Sequence, residues 1–372
     1  MVEMEKYKLG DICEIVSGST PKTNIDEYWE GTIKWITPAE LNDDTYIITD
    51  SVRKITELAV KKTGLKSFPE GTVILSSRAP IGKVAIAGCE MYCNQGFKNL
   101  ICSKKINNKY LYWFLKGNTV FLNSLGRGAT FKELSKSIVS NIEINLPDIV
   151  YQKKAVETLE KVSGIIDLRK RELSLLDDFI KARFVELTDE TETVPTRMGD
   201  IATYLNGYAF KPTQWEETGL PIIRIQNLND ENAPYNYFSG SLADKYFVQS
   251  GDVLVSWATH LEAYIWKGQD AWLNQHIFKV VFDKMEVDKI YFVYACEEAL
   301  RQAFRNAHGF KPTMEHIKKA DFDNAIVMLP KIEVQEQFAD FVHQVNKSKV
   351  AIQKALDKTQ MLFDSLMQEH FG

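Results

Sequence analysis

Apolar residues recur along this chain in three rhythms, and each predicts a different element. Short aliphatic and β-branched runs (GTVILSS, KVAIAG and NLIC, then DVLVSW and IFKVVF) are broken by Gly, Pro and Asn and predict strands. Helical stretches follow around Tyr110–Lys116 and Lys289–Ala307. Each half then ends in a long, charged, periodic segment. The first is predicted to start after Pro147, with Asp148 as N-cap, and to run to about Leu187 with no Pro and one Gly, Gly164. Leu159, Ile166, Leu173 and Ile180 fall there at heptad spacing, and Val162, Leu176 and Phe184 fill much of the companion line. The second segment starts near Glu333. Val342, Leu356 and Phe363 share one heptad line in it, and Val345, Ile352 and Leu366 share another. The polar exceptions are Arg169, Lys349 and Thr359. Two such helices in one chain can pair as a coiled coil. A helix of about 37 residues is roughly 55 Å long, the length of a spacer.

The same order of elements occurs twice. KLGDICEIVSG matches RMGDIATYLNG, and ITPAELND matches IRIQNLND. EGTVILSSRAPIGKVAI, from Glu70, matches SGDVLVSWATHLEAYIW, from Ser250, and CNQGFKNLI matches LNQHIFKVV. GRGATFKELSKSIVSNIEINLP, from Gly126, matches GFKPTMEHIKKADFDNAIVMLP, from Gly309, and one offset carries Pro147 onto Pro330 and Gln152 onto Gln335. Matches repeated in one order mean a duplication. The predicted fold is therefore α+β: two duplicated β-rich domains with helices, residues 1–147 and 191–330, and two long helices, a central one at 148–190 and a C-terminal one at 331–372. If the helices pair as an antiparallel coiled coil, the chain is a pseudo-two-fold dimer of itself. The acidic stretch TDETETVP, from Thr188, is expected to be a solvated turn into the second domain. Two-fold dimers read two DNA half-sites about one helical turn apart, roughly 34 Å. A chain with diverged halves could read two different ones.

Composition narrows the function. The net charge of −5 argues against a sequence-blind nucleic-acid coat but leaves room for local basic patches. The N-terminus lacks the apolar core of a signal peptide, and no stretch is long and apolar enough to span a bilayer. Five cysteines without a secretion signal fit the reducing cytoplasm.

Catalytic motifs are missing. There is no Pro-Pro dipeptide of the kind an adenine methyltransferase uses to grip a flipped base. Gly82–Lys83 is followed by Val84, without the hydroxyl a phosphate-binding loop needs for magnesium. Pro147–Asp148 has no Glu-x-Lys behind it at nuclease spacing. Cys89, Cys93 and Cys102 lie close together, but all six histidines are in the other half, so no zinc site is expected.

The chain resembles the DNA specificity subunit of a type I restriction–modification system. The resemblance rests on YKLGDICEIVSGSTPK, VILSSRAPIGKVAI and CNQGFKNLI in the first half, on LVSWATHLEAYIW and LNQHIFKV in the second, on the repeated LP with a Gln-containing helix, and on LLDDFIKARFVEL. It implies two target recognition domains, each reading one half of an asymmetric interrupted site in double-stranded DNA. It implies helices that set the gap and dock two methyltransferase subunits, which a restriction translocase subunit can join. It also implies a non-catalytic chain without a cofactor, with S-adenosylmethionine, ATP and magnesium in the partner subunits. The competing reading is a coiled-coil adaptor that binds protein.

For such a reader the candidate DNA contacts are cations and polar groups in turns. In the first domain they are Arg78 and Lys83 in SSRAPIGK, Lys98 with Lys104 and Lys105, and Arg127 and Lys132 in the glycine-bearing loop GRGATFKELS. In the second they are Thr259, His260, Lys267, Lys311 and Thr313. Asn94–Gln95 and Asn274–Gln275 occur in both halves, so they suit structural hydrogen bonds or phosphate contacts better than specificity. The coiled-coil seam is expected at Leu159, Ile166, Leu173, Ile180, Val345, Ile352, Leu356 and Phe363.

Overall fold

The computed structural model describes residues 4–42, 44–78, 80–128, 132–230, 232–258, 261–308 and 318–372, apart from the side chains of 306–308. It divides the chain into two compact units, residues 1–169 with 355–372, and residues 170–354.

In the first unit a five-stranded sheet runs in the order Cys13–Ser17, Lys98–Cys102, Val73–Leu75, Val84–Ala87, Ile47–Ile48. A three-stranded sheet orders Arg53–Ile55, Trp29–Ile36 and Tyr92–Cys93, and Glu5–Lys8 pairs with Glu143–Leu146. In the second unit one four-stranded sheet orders Thr203–Asn206, Ile277–Val281, Val253–Ser256 and Ala263–Ile265. Another orders Asn236–Phe238, Leu220–Ile223, Ala271–Leu273 and Phe247–Val248, and Thr193–Arg197 pairs with Ile326–Pro330.

The duplication holds at the level of register. Ser17 faces Lys98 where Asn206 faces Phe278. Trp35 pairs in parallel with Tyr92 where Ile222 pairs with Trp272. Glu5 faces Leu146 where Val194 faces Leu329. A Cβ on Gly18 would lie 2.1 Å from the Asn94 carbonyl oxygen, and one on Gly207 would lie 2.2 Å from that of Asn274, so both halves need glycine for the same close backbone approach. One hairpin differs in length between the halves. Leu75 faces Val84, but Val255 faces Ala263, so the second turn is one residue shorter and the match slips by one beyond it.

The first long helix spans Ile149–Glu190 and the second Ile332–Phe371. Asp148 Oδ1 accepts the Tyr151 N–H at 2.8 Å, which is the predicted cap. The acidic stretch is not a turn throughout. Thr188 and Thr191 bond back to the carbonyls of Phe184 and Leu187, which prolongs the helix to Glu190, and Pro195 then sits in a strand that has one neighbour among the described residues.

Each long helix contributes to two cores. Ala155, Val156 and Leu159 are buried in the first unit, where Phe363, Leu366, Met367 and Phe371 also pack. Ile180 and Leu187 are buried in the second with Phe338, Val342 and Val345. The helices are antiparallel within each unit. In the first, the Tyr151 hydroxyl lies 3.1 Å from His370 Nδ1, and Arg169 donates to the Ala355 carbonyl and the Thr359 hydroxyl. In the second, Lys349 pairs with Asp177, and the Phe179 and Phe184 rings lie 5.1 and 5.5 Å from those of Phe341 and Phe338. All three polar exceptions to the heptad pattern thus have partners on the opposing helix, a device that fixes register. Of the eight seam residues, Leu159, Ile166, Ile180, Val345 and Leu356 are buried, and Leu173, Ile352 and Phe363 are half-buried.

Candidate nucleic-acid interface

In the first unit four of the candidate contacts, Arg78, Lys83, Arg127 and Lys132, lie on two loops that are bonded to each other. The first follows strand Val73–Leu75. Ser76 Oγ donates to the Pro80 carbonyl and accepts the Lys83 N–H, both at 2.8 Å, and Gly82 supplies a left-handed φ of +97°. This is the tight turn expected around Arg78. The second loop carries Arg127 and Lys132, with Gly128 at φ +137°. Glu133 and Arg127 exchange both backbone hydrogen bonds, at 3.2 and 2.9 Å, and the Leu134 N–H bonds to the Ser77 carbonyl at 2.8 Å. The loops therefore form one surface.

The cations on this surface differ in availability. Arg78 is about one-third exposed and lies 3.8 Å from the Glu133 carboxylate. Arg127 and Lys132 are exposed and, among the described residues, have no side-chain ion partner. Arg127 and Glu133 help line a groove of about 1010 Å³ with Lys6 and Asn141 on its polar side and Phe121 and Ile138 among its apolar residues. Lys6 is held by Glu143 at 2.6 Å, and that pairing keeps the Glu143 carboxyl below its ordinary pKa. Two candidates point inward instead. Lys83 folds its ammonium onto the carbonyls of Pro38 and Leu41. Lys98 is buried, with its ammonium on Ser77 Oγ at 3.3 Å and on Glu133 at 3.4 Å. A long side chain on a strand faces either side of the sheet with equal ease, so its type alone says nothing about its side. Of the neighbouring lysines, Lys105 lies over the Tyr7 ring at 4.7 Å.

In the second unit, Lys267 is exposed and helps line a cleft of about 850 Å³ with Tyr235, Tyr264, Trp266 and His343. Thr259, His260, Lys311 and Thr313 lie outside the described residues. The neighbouring Ala258 is buried. Lys279, which sequence reasoning passes over, is paired with Asp252 at 2.8 Å and donates to the Phe247 carbonyl at 2.7 Å.

The asparagines common to both halves hold the fold. Asn94 N–H bonds to the Ile36 carbonyl and Asn274 N–H to that of Ile223, each at 3.1 Å, and Asn94 Oδ1 accepts the Gly96 N–H at 2.9 Å. Sequence reasoning misses Glu133 because it looks for cations and leaves out the carboxylate that organises them. Among the described residues no three His, Cys, Asp or Glu side chains come together as a metal site. Burial pushes the Cys93 thiol up to about 12, away from the thiolate a zinc ion requires. No helix among the described residues is long and apolar enough to cross a membrane.

One family model matches this chain twice. The type I restriction modification DNA specificity domain covers residues 1–177 and 190–359, in each case a domain together with much of its long helix. The chain is 29% identical to the type I restriction enzyme MjaIX specificity subunit of Methanocaldococcus jannaschii, over 97% of this chain and 90% of that protein. A solved structure concerned with complex assembly and conformational transition of the type I R-M system has a TM-score of 0.65 at 17% identity, covering 99% of this chain and 97% of that one. The crystal structure of the type I restriction–modification S subunit from M. genitalium has a TM-score of 0.55 at 13% identity, covering 100% and 96%. At these identities the structural likeness is one of fold.

Proposed function

This chain belongs to the type I restriction–modification DNA specificity family, and from that premise we propose how it reads DNA. It is a specificity subunit, the non-catalytic part of its complex that recognises DNA sequence. Each domain reads one half of an asymmetric two-part site, and the paired helices set the gap between the halves. The observation that carries this reading is the repetition. Two domains share strand register and internal hydrogen bonds yet differ in the loops that bear the candidate contacts. One scaffold with two different surfaces suits two different half-sites.

The same reading assigns the chemistry to partners. Two methyltransferase subunits dock on the long helices, where Leu168, Leu175, Phe179, Met361 and Leu362 are exposed apolar side chains of the kind a stable interface covers. S-adenosylmethionine, ATP and magnesium belong to those subunits and to a restriction subunit that joins them.

The test is modified-base sequencing of DNA from cells carrying this chain with its methyltransferase subunit, against cells lacking this chain. The expected result is methylation at an interrupted two-part sequence that disappears without the chain. An identical pattern in both would refute the reading and favour a protein-binding adaptor.

A further inference from the structure

The duplication gives each residue of the first domain a counterpart in the second. Groups that hold the fold recur. Asn107 and Asp288 each accept two backbone N–H groups at a helix start, and Tyr110 and Tyr291 are both fully buried behind them. One ionic cluster does not recur. In the first domain the Glu133 carboxylate lies 3.8 Å from Arg78 Nη1 and 3.4 Å from Lys98 Nζ. The second domain has Ala258, Phe278 and His316 at these positions, so all three charges of the cluster are replaced together. Two of the equivalences are structural. Ser77 N–H bonds to the Gly96 carbonyl as Trp257 N–H bonds to that of His276, which sets Arg78 on Ala258. Strand register sets Lys98 on Phe278. The ungapped alignment from Gly126 and Gly309 sets Glu133 on His316.

Three charges that are present as a group in one repeat and missing as a group from the other belong to what distinguishes the repeats. We propose that Arg78 reads a guanine in the half-site of the first domain, that Glu133 is its positioning residue, and that Lys98 is the buried cation that holds the Glu133 carboxylate in place. This rests on the two-part DNA reading above and deepens it. The guanidinium is a rigid fork that fits O6 and N7 of guanine in the major groove. Its stem is flexible, so a carboxylate that limits its rotamers before binding reduces the ordering cost and sharpens discrimination. Arg78 Nη1 lies 3.8 Å from the Glu133 carboxylate while about one-third of the side chain is exposed, so the pairing leaves part of the side chain accessible to a base. Lys98 is sealed at 8% side-chain exposure and bonded to Ser77, so the carboxylate stays with it when Arg78 engages the base. Lys98, a candidate DNA contact by sequence, is thereby withdrawn from the DNA, and phosphate contact falls to exposed cations such as Arg127 and Lys132.

The experiment uses the full chain with its methyltransferase subunit and maps modified bases for Arg78→Lys, Glu133→Gln and Glu133→Asp. Arg78→Lys and Glu133→Gln should relax the same G·C pair in one half-site, with discrimination falling about tenfold or more there. Glu133→Asp should retain it, and the other half-site should be unchanged in all three. Relaxation in both half-sites, at different positions for the two variants, or nowhere, overturns the proposal. If Glu133→Gln abolishes methylation by disrupting the loop, Arg78→Lys decides: a relaxed G·C pair supports the assignment and an unchanged site overturns it. A wild-type chain that directs no two-part methylation overturns the parent reading too, which separates the two failures.

Discussion

Gln152 and Gln335 make the same two hydrogen bonds in two different domains. Each donates from Nε2 at 2.8 Å to the carbonyl of the proline five residues earlier, Pro147 or Pro330. Each accepts on Oε1 the backbone N–H of Asn107 or Asp288, where a helix starts, at 2.8 and 3.0 Å. Both are buried. Gln152→Leu and Gln335→Leu each leave a buried proline carbonyl and a half-buried N–H without this partner, Gln152→Leu also removes a bond to the Lys105 carbonyl, and each should cost about 1–3 kcal/mol. The sites belong to different units and share no hydrogen-bond partner, so the double variant should show the sum in urea unfolding. A large loss from one and none from the other would mean that the two sites are not equivalent.

Arg127 and Lys132 should behave as phosphate contacts. Alanine at either should weaken binding to every duplex alike and lower the slope of log K against log salt by about one. A slope that stays at the wild-type value in both variants removes them from the interface.

Paired heptad insertions test the spacer. Seven residues add about 10 Å to a helix, about three base pairs of B-DNA. Seven residues inserted between Arg169 and Lys170, and seven between Lys354 and Ala355, should lengthen the gap in the methylated sequence or abolish recognition. A gap of unchanged length would show that the helices do not measure distance.

Gly164 is the single glycine inside the first long helix, and a Cβ there would meet nothing within 4 Å. Gly164→Ala should raise stability by about 0.5–1 kcal/mol, because alanine has less backbone freedom to lose. Unchanged or lowered stability in thermal unfolding would point to a requirement at this position other than space.

How much of this was legible in the sequence depends on the kind of signal. Strand order, the long helices and the Asp148 cap follow from local patterns, and the repeat follows from order alone. The polar breaks in the heptads, Arg169, Lys349 and Thr359, look like flaws until the opposing helix is placed, because their partners are some 170 to 190 residues away. The cations were harder. Arg78 and Arg127 fall on a turn and a loop, as the glycines and serines suggest, but only the fold shows that Lys98 is internal and that Lys83 braces the turn at Pro38. The shorter second hairpin was hidden because an ungapped match absorbs a one-residue slip without losing its apolar pattern.

Acid should loosen the end of the C-terminal helix. Burial holds the His370 imidazole below its ordinary value of 6.5, beside the Tyr151 hydroxyl. The folded protein therefore takes up this proton less readily than the unfolded chain. The sign follows: the contribution of His370 is complete above about pH 6.5 and is lost as pH falls below it. Melting temperature should drop between pH 7.5 and 5.5 by more in the wild type than in His370→Gln. An equal drop in both would clear His370 of the effect.

The first unit is built from residues 1–169 and 355–372, and its core takes in Phe363, Leu366, Met367 and Phe371, with the Phe371 ring 4.9 Å from that of Tyr110. Domains generally fold as the chain emerges, the N-terminal one first. Here the second unit is contiguous and has every segment in hand before residues 355–372 are made. The domain that leaves the ribosome first must wait for residues 355–372 to seal it, so the order of synthesis and the order of completion are reversed.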